Sequence, residues 1–216
     1  EFHAMTTQGK IDFPADYKGS WVVLFSHPAD FTPVCTTEFI ALSRMNETFE
    51  SLNTKLIGLS IDSLHSHLGW IKSIEALNFN NEGKVKIPFP IIADISMNVA
   101  RKYGMLQTVA NTQTVRAVFI IDPEGMIRTI LYYPMSTGRN IPEIIRILQS
   151  LQLNDKTHYS TPANWQPGDD VVMGAPLTIE EAQERLESSD NTIKPLDWYL
   201  TMKKMGPQGI FLWSGT

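Results

Sequence analysis

A single cysteine, Cys35, occurs in the 216 residues of this chain, and its neighbours are of the types that make a thiol reactive. It lies in Ser26-His27-Pro28-Ala29-Asp30-Phe31-Thr32-Pro33-Val34-Cys35-Thr36-Thr37-Glu38. A short apolar run, Trp21-Val22-Val23-Leu24-Phe25, precedes it. A helical pattern follows, with Phe39, Leu42, Met45, Phe49 and Leu52 three or four apart. Cys35 is therefore expected where a loop enters the first turn of a helix. Unpaired backbone N–H groups and the positive end of the helix dipole favour a thiolate there, and the thiolate is the nucleophilic form. Pro28 and Pro33 stiffen the approach, and Thr32 brings a hydroxyl three residues before the sulfur. The ordinary role of a free cysteine is that of a small buried hydrophobe, so position and companions have to decide.

The elements that must hold this loop alternate. Trp21–Phe25 reads as a buried strand, 36–53 as a helix, and Lys55–Asp62 as a second strand without polar alternation, as when both faces are covered. Ser63 then caps a helix whose apolar stripe is Leu64, Leu68, Ile71, Ile74 and Leu77. Strand, helix, strand, helix is the pattern of a parallel α/β unit. Residues 1–20 are polar, with Gly9 and Gly19 as breakers, and suit a short hairpin. Ile91–Asp94 is a short extended piece, and Ser96–Tyr103 a short helix closed by Gly104. Val115–Ile121 and Met126–Tyr132 are joined by Asp122-Pro123-Glu124-Gly125, a turn signal that predicts an antiparallel hairpin at the sheet edge. Asn140 caps a last helix with Ile141, Ile144, Ile145, Leu148 and Leu151 as its stripe.

Around residue 154 the composition changes. Asn154–Asp170 is polar and contains Pro162 and Pro167, which sets the expected division at 1–153 and 154–216. Beyond it come a short strand (Val171–Met173), a helix (Ile179–Leu186) and the aromatic pair Trp198-Tyr199. That is little material for an independent core, so this extension is expected to pack on a second subunit.

Hydrophobic residues make up 43% of the chain, enough for a sizeable core. A net charge of −5 argues against a nucleic-acid or anionic-membrane binder. No apolar run approaches the roughly 18 residues that cross a bilayer, and the start lacks the basic and apolar regions of a signal peptide. One cysteine excludes an intrachain disulfide and a cysteine-based zinc site, which suits a reducing, cytoplasmic setting. His65-x-His67 is not expected to bind metal, because residues two apart on a helix do not share a face; both histidines are expected to be solvated.

The motif around the cysteine resembles a known family. Pro28-x-x-x-Thr32-x-x-Cys35 matches the PxxxTxxC signature of peroxiredoxins, and Ser26–Glu38 as a whole is similar to their one-cysteine (1-Cys) subfamily. Val115-Arg116-Ala117-Val118-Phe119-Ile120-Ile121-Asp122, Tyr133-Pro134, Thr137-Gly138-Arg139-Asn140 and Thr161-Pro162-Ala163-Asn164-Trp165 continue the match along nearly the whole chain. The resemblance implies a thioredoxin-like α/β fold with a C-terminal extension used in dimerisation. It implies a peroxidase acting on hydrogen peroxide and alkyl hydroperoxides, with Cys35 as nucleophile passing through a sulfenic acid. Arg116 would lie by the sulfur and polarise the peroxide, Thr32 would offer its hydroxyl, and Pro28 would shield the pocket and fix the loop. His27 matches the subfamily's pocket histidine; Glu38 and Arg139 match an ion pair that orients the loop and Arg116. No cofactor or metal is implied. With no second cysteine, an external thiol or thioredoxin-like reductant must resolve the sulfenic acid, and a homodimer, or a larger ring, is the expected assembly.

Three further expectations follow. A redox sensor or holdase-type chaperone responding to over-oxidation of Cys35 would use the same residues and is the alternative. The phospholipase-like activity of some relatives is not expected, since the flanking glycines around Ser20 are missing and Pro14 and Glu124 stand where a histidine and an aspartate would. The relatives have a strand before Phe2, so the first strand is expected to be partly missing, and the segment from Gly206 onward matches no part of the family pattern.

Overall fold

The computed structural model describes residues 1–106 and 113–206. The chain forms two units, Glu1–Ile141 and Pro142–Thr216. In the first, β1 (Phe2–Thr6) and β2 (Gly9–Phe13) make the N-terminal hairpin, followed by β3 (Trp21–Ser26), α1 (Pro33–Arg44), α2 (Asn46–Ser51), β4 (Thr54–Ser60) and α3 (Leu64–Ala76). Then come β5 (Ile91–Ala93), α4 (Asn98–Lys102), β6 (Arg116–Ile121) and β7 (Ile127–Tyr133). The seven strands form one sheet in the order β2-β1-β5-β4-β3-β6-β7. β3 runs parallel to β4 and antiparallel to β6, and β4 runs parallel to β5. Every residue of β3 and of β6 is buried, which accounts for their unbroken apolar runs: both faces of the sheet centre are covered. This mixed sheet with flanking helices is the thioredoxin-like architecture expected from the sequence.

The hairpin of β6 and β7 closes at the sheet edge as expected. Asp122 accepts from Gly125 N through its carbonyl (2.9 Å) and from Met126 N through Oδ1 (2.8 Å), and Gly125 takes a φ of +87° that a side chain would resist. Two expectations need correction. The helix placed at 36–53 is two helices separated by Met45, which takes non-helical angles (φ −92°, ψ 3°). Phe49 N still bonds Met45 O at 3.1 Å, so the buried face of Phe39, Leu42, Phe49 and Leu52 carries across the break. In α3, capped as expected by Ser63 Oγ accepting from Ser66 N at 3.1 Å, the buried face is His67, Trp70 and Ile74, whereas Leu68 and Leu77 are 46% and 44% exposed. The apolar stripe was read from aliphatic residues, but hydrogen bonds satisfy His67 and the Trp70 indole, and these turn the helix toward the loop that carries Cys35.

The second unit holds most of α5 (Ile141–Thr157), then β8 (Val171–Val172), α6 (Ile179–Leu186), β9 (Ile193–Pro195) and β10 (Thr201–Lys203). β8, β10 and β9 form a small antiparallel sheet. Leu153, Trp165 and Val171 pack together with Tyr159 and Met205. α6 has the predicted bounds, and Thr178 caps it by accepting from Glu181 N at 3.1 Å. β9 and β10 escaped the sequence pattern because each is three residues long and β9 ends in proline. The terminal segment singled out from Gly206 lies, beyond that glycine, outside the described residues. Among the described residues, no helix is long and apolar enough to cross a membrane.

Candidate active site

β3 delivers the chain to the site and α1 receives it. Cys35 is the third residue of α1, behind Pro33 at its first position, and it is wholly buried. Thr32, the residue before the helix, is extended (φ −106°, ψ 146°), but its side chain does not cap the helix. Its Oγ1 donates instead to Ala29 O at 2.7 Å, which cross-braces the loop and leaves the oxygen's lone pairs free to accept. Pro28 is buried in the same loop.

Arg116 comes from the start of β6. Val118 pairs with Phe25 of β3, and strand alternation puts Arg116 on the same face, just beyond the end of β3. Its Nη1 lies 3.2 Å from Cys35 Sγ and 2.8 Å from Glu38 Oε2. Its Nε and Nη2 donate to Met135 O at 3.0 and 2.9 Å. Glu38 sits one turn after Cys35 on α1. It also accepts from Arg139 Nε and backbone N, both 2.9 Å to Oε1, and from Arg139 Nη2, 2.7 Å to Oε2. Arg139 Nη1 donates further to Ser26 O (2.9 Å) and Ala117 O (3.1 Å), and its guanidinium lies over the Phe25 ring, 5.2 Å from the centroid. All four side chains are buried. Two guanidinium groups face one carboxylate, which leaves one buried positive charge beside the sulfur; a thiolate makes the group neutral, and a thiol does not.

His27 lies on the other side of the loop. Its Nε2 is 2.9 Å from Asp30 Oδ1, and the second oxygen of Asp30 is 2.8 Å from His67 Nδ1. His67 Nε2 is 3.1 Å from Ile92 O. Burial, above all, holds His27 below the ordinary imidazole value. For Asp30 burial acts upward, but hydrogen bonds from both histidines outweigh it and hold the carboxyl well below the usual carboxylate range. The two directions agree: His27 is neutral with its proton on Nε2, donating to an ionised Asp30. His27 Nδ1 is buried and has no hydrogen-bond partner among the described residues. The ligand atoms of His27, Asp30 and His67 lie within 4.8 Å of one another, close enough for a metal ion. They are already joined to one another by hydrogen bonds through Asp30, which makes the arrangement a polar network.

The structure thus brings Cys35, Arg116, Glu38 and Arg139 into direct contact and sets Thr32, Pro28 and His27 in the adjoining loop. Asp30, His67, Trp70 and Met135 were missed by the sequence reading. His67 is not the solvated residue expected: it is buried, and only His65 is exposed. The signal was the 67, 70, 74 spacing on α3, a helical face that an aliphatic-only stripe passes over. Ser20, Pro14 and Glu124 line one cavity of about 370 Å³ near the N-terminal hairpin; the proline ring contributes neither acid nor base to it.

Residues 1–130 match the AhpC/TSA family, and residues 150–189 match the C-terminal domain of 1-Cys peroxiredoxin. A peroxiredoxin of Methanosarcina mazei is 57% identical over 205 residues, covering 94% of each chain. One of Aquifex aeolicus is 46% identical over 215 residues, covering 94% of this chain and 93% of its own. Among solved structures, the yeast mitochondrial 1-Cys peroxiredoxin, described with its thiol-resolving mechanism via glutathione/thioredoxin systems, superposes with a TM-score of 0.82 at 41% identity over 94% of this chain and 95% of its own. A cysteine-to-serine variant of peroxiredoxin 6 from Arenicola marina gives 0.81 at 36% identity, with 95% of each chain covered.

Proposed function

The chain belongs to the AhpC/TSA family, in its 1-Cys peroxiredoxin branch, and from that premise we propose how its residues divide the work of a thiol-dependent peroxidase. Cys35 reacts as the thiolate and attacks one oxygen of a hydroperoxide. The sulfur–oxygen bond forms as the oxygen–oxygen bond breaks, the sulfur is oxidised to a sulfenic acid, and the departing alkoxide or hydroxide takes up a proton to leave as alcohol or water. An external thiol then attacks the sulfenic sulfur, releasing water and forming a mixed disulfide. A second thiol breaks that disulfide, restoring Cys35 and leaving as the oxidised disulfide of the reductant.

The observation that carries the assignment is the contact of Arg116 Nη1 with Cys35 Sγ at 3.2 Å inside a buried group with one excess positive charge. Arg116 balances the thiolate and meets the negative charge that develops on the peroxide oxygens. Thr32, whose lone pairs remain open, accepts a hydrogen bond from the peroxide O–H, and Pro28 keeps water from the sulfur. Glu38 and Arg139 hold Arg116 in place, and His27 supports the loop. We read residues 1–153 as the part that carries the chemistry and 154–216 as an extension that pairs two copies into a homodimer. A lone cysteine, with no disulfide to gain from an oxidising compartment, favours a cytoplasmic setting.

Stoichiometric hydroperoxide followed by mass spectrometry of Cys35 tests the assignment. One added oxygen on Cys35, removed by a small thiol or a thioredoxin-like protein, is the expected result; an unmodified Cys35 rejects it. Cys35→Ser should stay folded and consume no peroxide.

A further inference from the structure

The pairing of β3 with β6 ends at Phe25 and Val118, and beyond that point side chains hold the two backbones together. Ser26 Oγ donates to Val115 O at 2.6 Å and accepts from Ala117 N at 3.2 Å. Those two groups belong to the peptide planes on either side of Arg116, so one hydroxyl holds both planes. Thr114 Oγ1 donates to His27 O at 2.6 Å, which ties the start of the same strand to the loop that carries Cys35. Arg139 Nη1 closes the seam through Ser26 O and Ala117 O. Ser26 and Thr114 are 0% and 1% exposed, so bulk water does not stand in for either hydroxyl.

We propose that Ser26 and Thr114 are positioning residues for the peroxidase reaction: by fixing the backbone around Arg116 against the Cys35 loop, their hydroxyls set where Arg116 Nη1 meets the sulfur and the peroxide. The inference rests on the peroxidase reading above. Glu38 and Met135 O hold the guanidinium end of Arg116, and Ser26 holds its root. A side chain with this much rotamer freedom has one reach only when both ends are held. Nη1 stands 3.2 Å from Sγ, and a misplacement of about 1 Å in such a contact costs up to about 10²-fold in rate. Without Ser26 Oγ, Val115 O and Ala117 N each lose a buried partner, and the start of the strand shifts to satisfy them. Neither hydroxyl reacts with the peroxide, so its effect passes through the contact between Arg116 and Cys35.

The second-order rate constant for oxidation of Cys35 by hydrogen peroxide, taken together with the melting temperature of each variant, reads the effect. Ser26→Ala removes both bonds to the planes beside Arg116, and oxidation should fall roughly 10- to 100-fold. Ser26→Thr, which keeps the hydroxyl, should recover most of that loss. Thr114→Val removes one bond and should act in the same direction by a smaller factor, with Thr114→Ser restoring the rate. On an Arg116→Met background, adding Ser26→Ala should change the remaining rate by less than about twofold, because the two act through one contact. Thr54→Val is the comparison: it removes a buried hydroxyl bond of the same kind, to Leu52 O at 2.9 Å, at the end of β4 away from the site. It should lower the melting temperature and leave oxidation within about twofold. Wild-type oxidation in Ser26→Ala, an undiminished loss on the Arg116→Met background, or an equal loss in Thr54→Val overturns the proposal and leaves the peroxidase assignment standing. Absence of oxidation in the wild-type chain sinks that assignment, and the proposal with it.

Discussion

At Cys35 the governing quantity is a balance of buried charge. Arg116 and Arg139 face Glu38 in a site closed to water, and neutrality is reached only with a thiolate present. Arg116→Met removes the cation that touches the sulfur and, with it, the donor proposed above for the peroxide. The second-order rate constant for hydrogen peroxide, followed by stopped-flow, should fall roughly 10²- to 10³-fold, the range for loss of one preorganised donor. Arg116→Lys should recover little of it, because a single ammonium cannot serve Sγ, Glu38 and Met135 O together. His27 and Asp30 make a second, pH-dependent prediction. Burial depresses His27 below its unfolded value of 6.5, so the unfolded chain binds more protons there and the contribution of His27 to stability is complete above that pH. It is lost as the pH falls through the folded value. Asp30, depressed from 3.8, acts with the same sign in a lower window: its contribution is present above that pH and is lost as the pH falls toward its folded value. The melting temperature should therefore decline from about pH 6.5 downward, and His27→Gln should flatten that decline; a wild-type melting temperature unchanged between pH 7.5 and 5 would contradict it.

Between elements, Glu38 joins α1 to the segment after β7 and to β6. Glu38→Gln keeps the shape but leaves two buried guanidinium groups with only the Cys35 sulfur beside them, a loss of a buried partner that typically costs about 3–5 kcal/mol. Urea unfolding of the reduced protein should register a loss of that size, well above what an exposed ion pair such as Lys86–Glu75 would give. This joining was only half visible in the sequence. Local signals located β3, the Asp122–Gly125 hairpin and α6 within a residue or two, and the start of α1 within three, because each is written in adjacent residues. The contact of Arg116 with Cys35 spans 81 positions, and its motif placed it only through family resemblance. His67 and Trp70 had no such help. A buried histidine looks like a solvated one until its acceptors, Asp30 and Ile92 O, are brought beside it by the fold, and neither is near it in the chain.

At the scale of the whole chain, the C-terminal unit presents apolar side chains that stay exposed among the described residues. Leu177 is 91% exposed and Ile179 74%, and Leu186, Leu196, Trp198 and Tyr199 are exposed as well. α6 has no buried residue at all, although Ile179, Ala182 and Leu186 align along one side of it. An apolar helix face of this kind, with an exposed aromatic pair in the same unit, is the mark of a contact surface, and in the homodimer proposed above a second copy of the chain would supply a matching one through a two-fold axis. Ile179→Asp combined with Leu186→Asp would set like charges against each other across such an axis and desolvate them. Light scattering after gel filtration should give twice the chain mass for the wild type at micromolar concentration and a single chain mass for the double variant. Because Cys35 and its arginines all lie in the first unit, a single-turnover oxidation by hydrogen peroxide should survive in the monomer within about twofold, the range expected for surface changes that leave a site intact. A wild-type chain that elutes as a monomer, or a double variant that remains a dimer, would remove α6 from the interface.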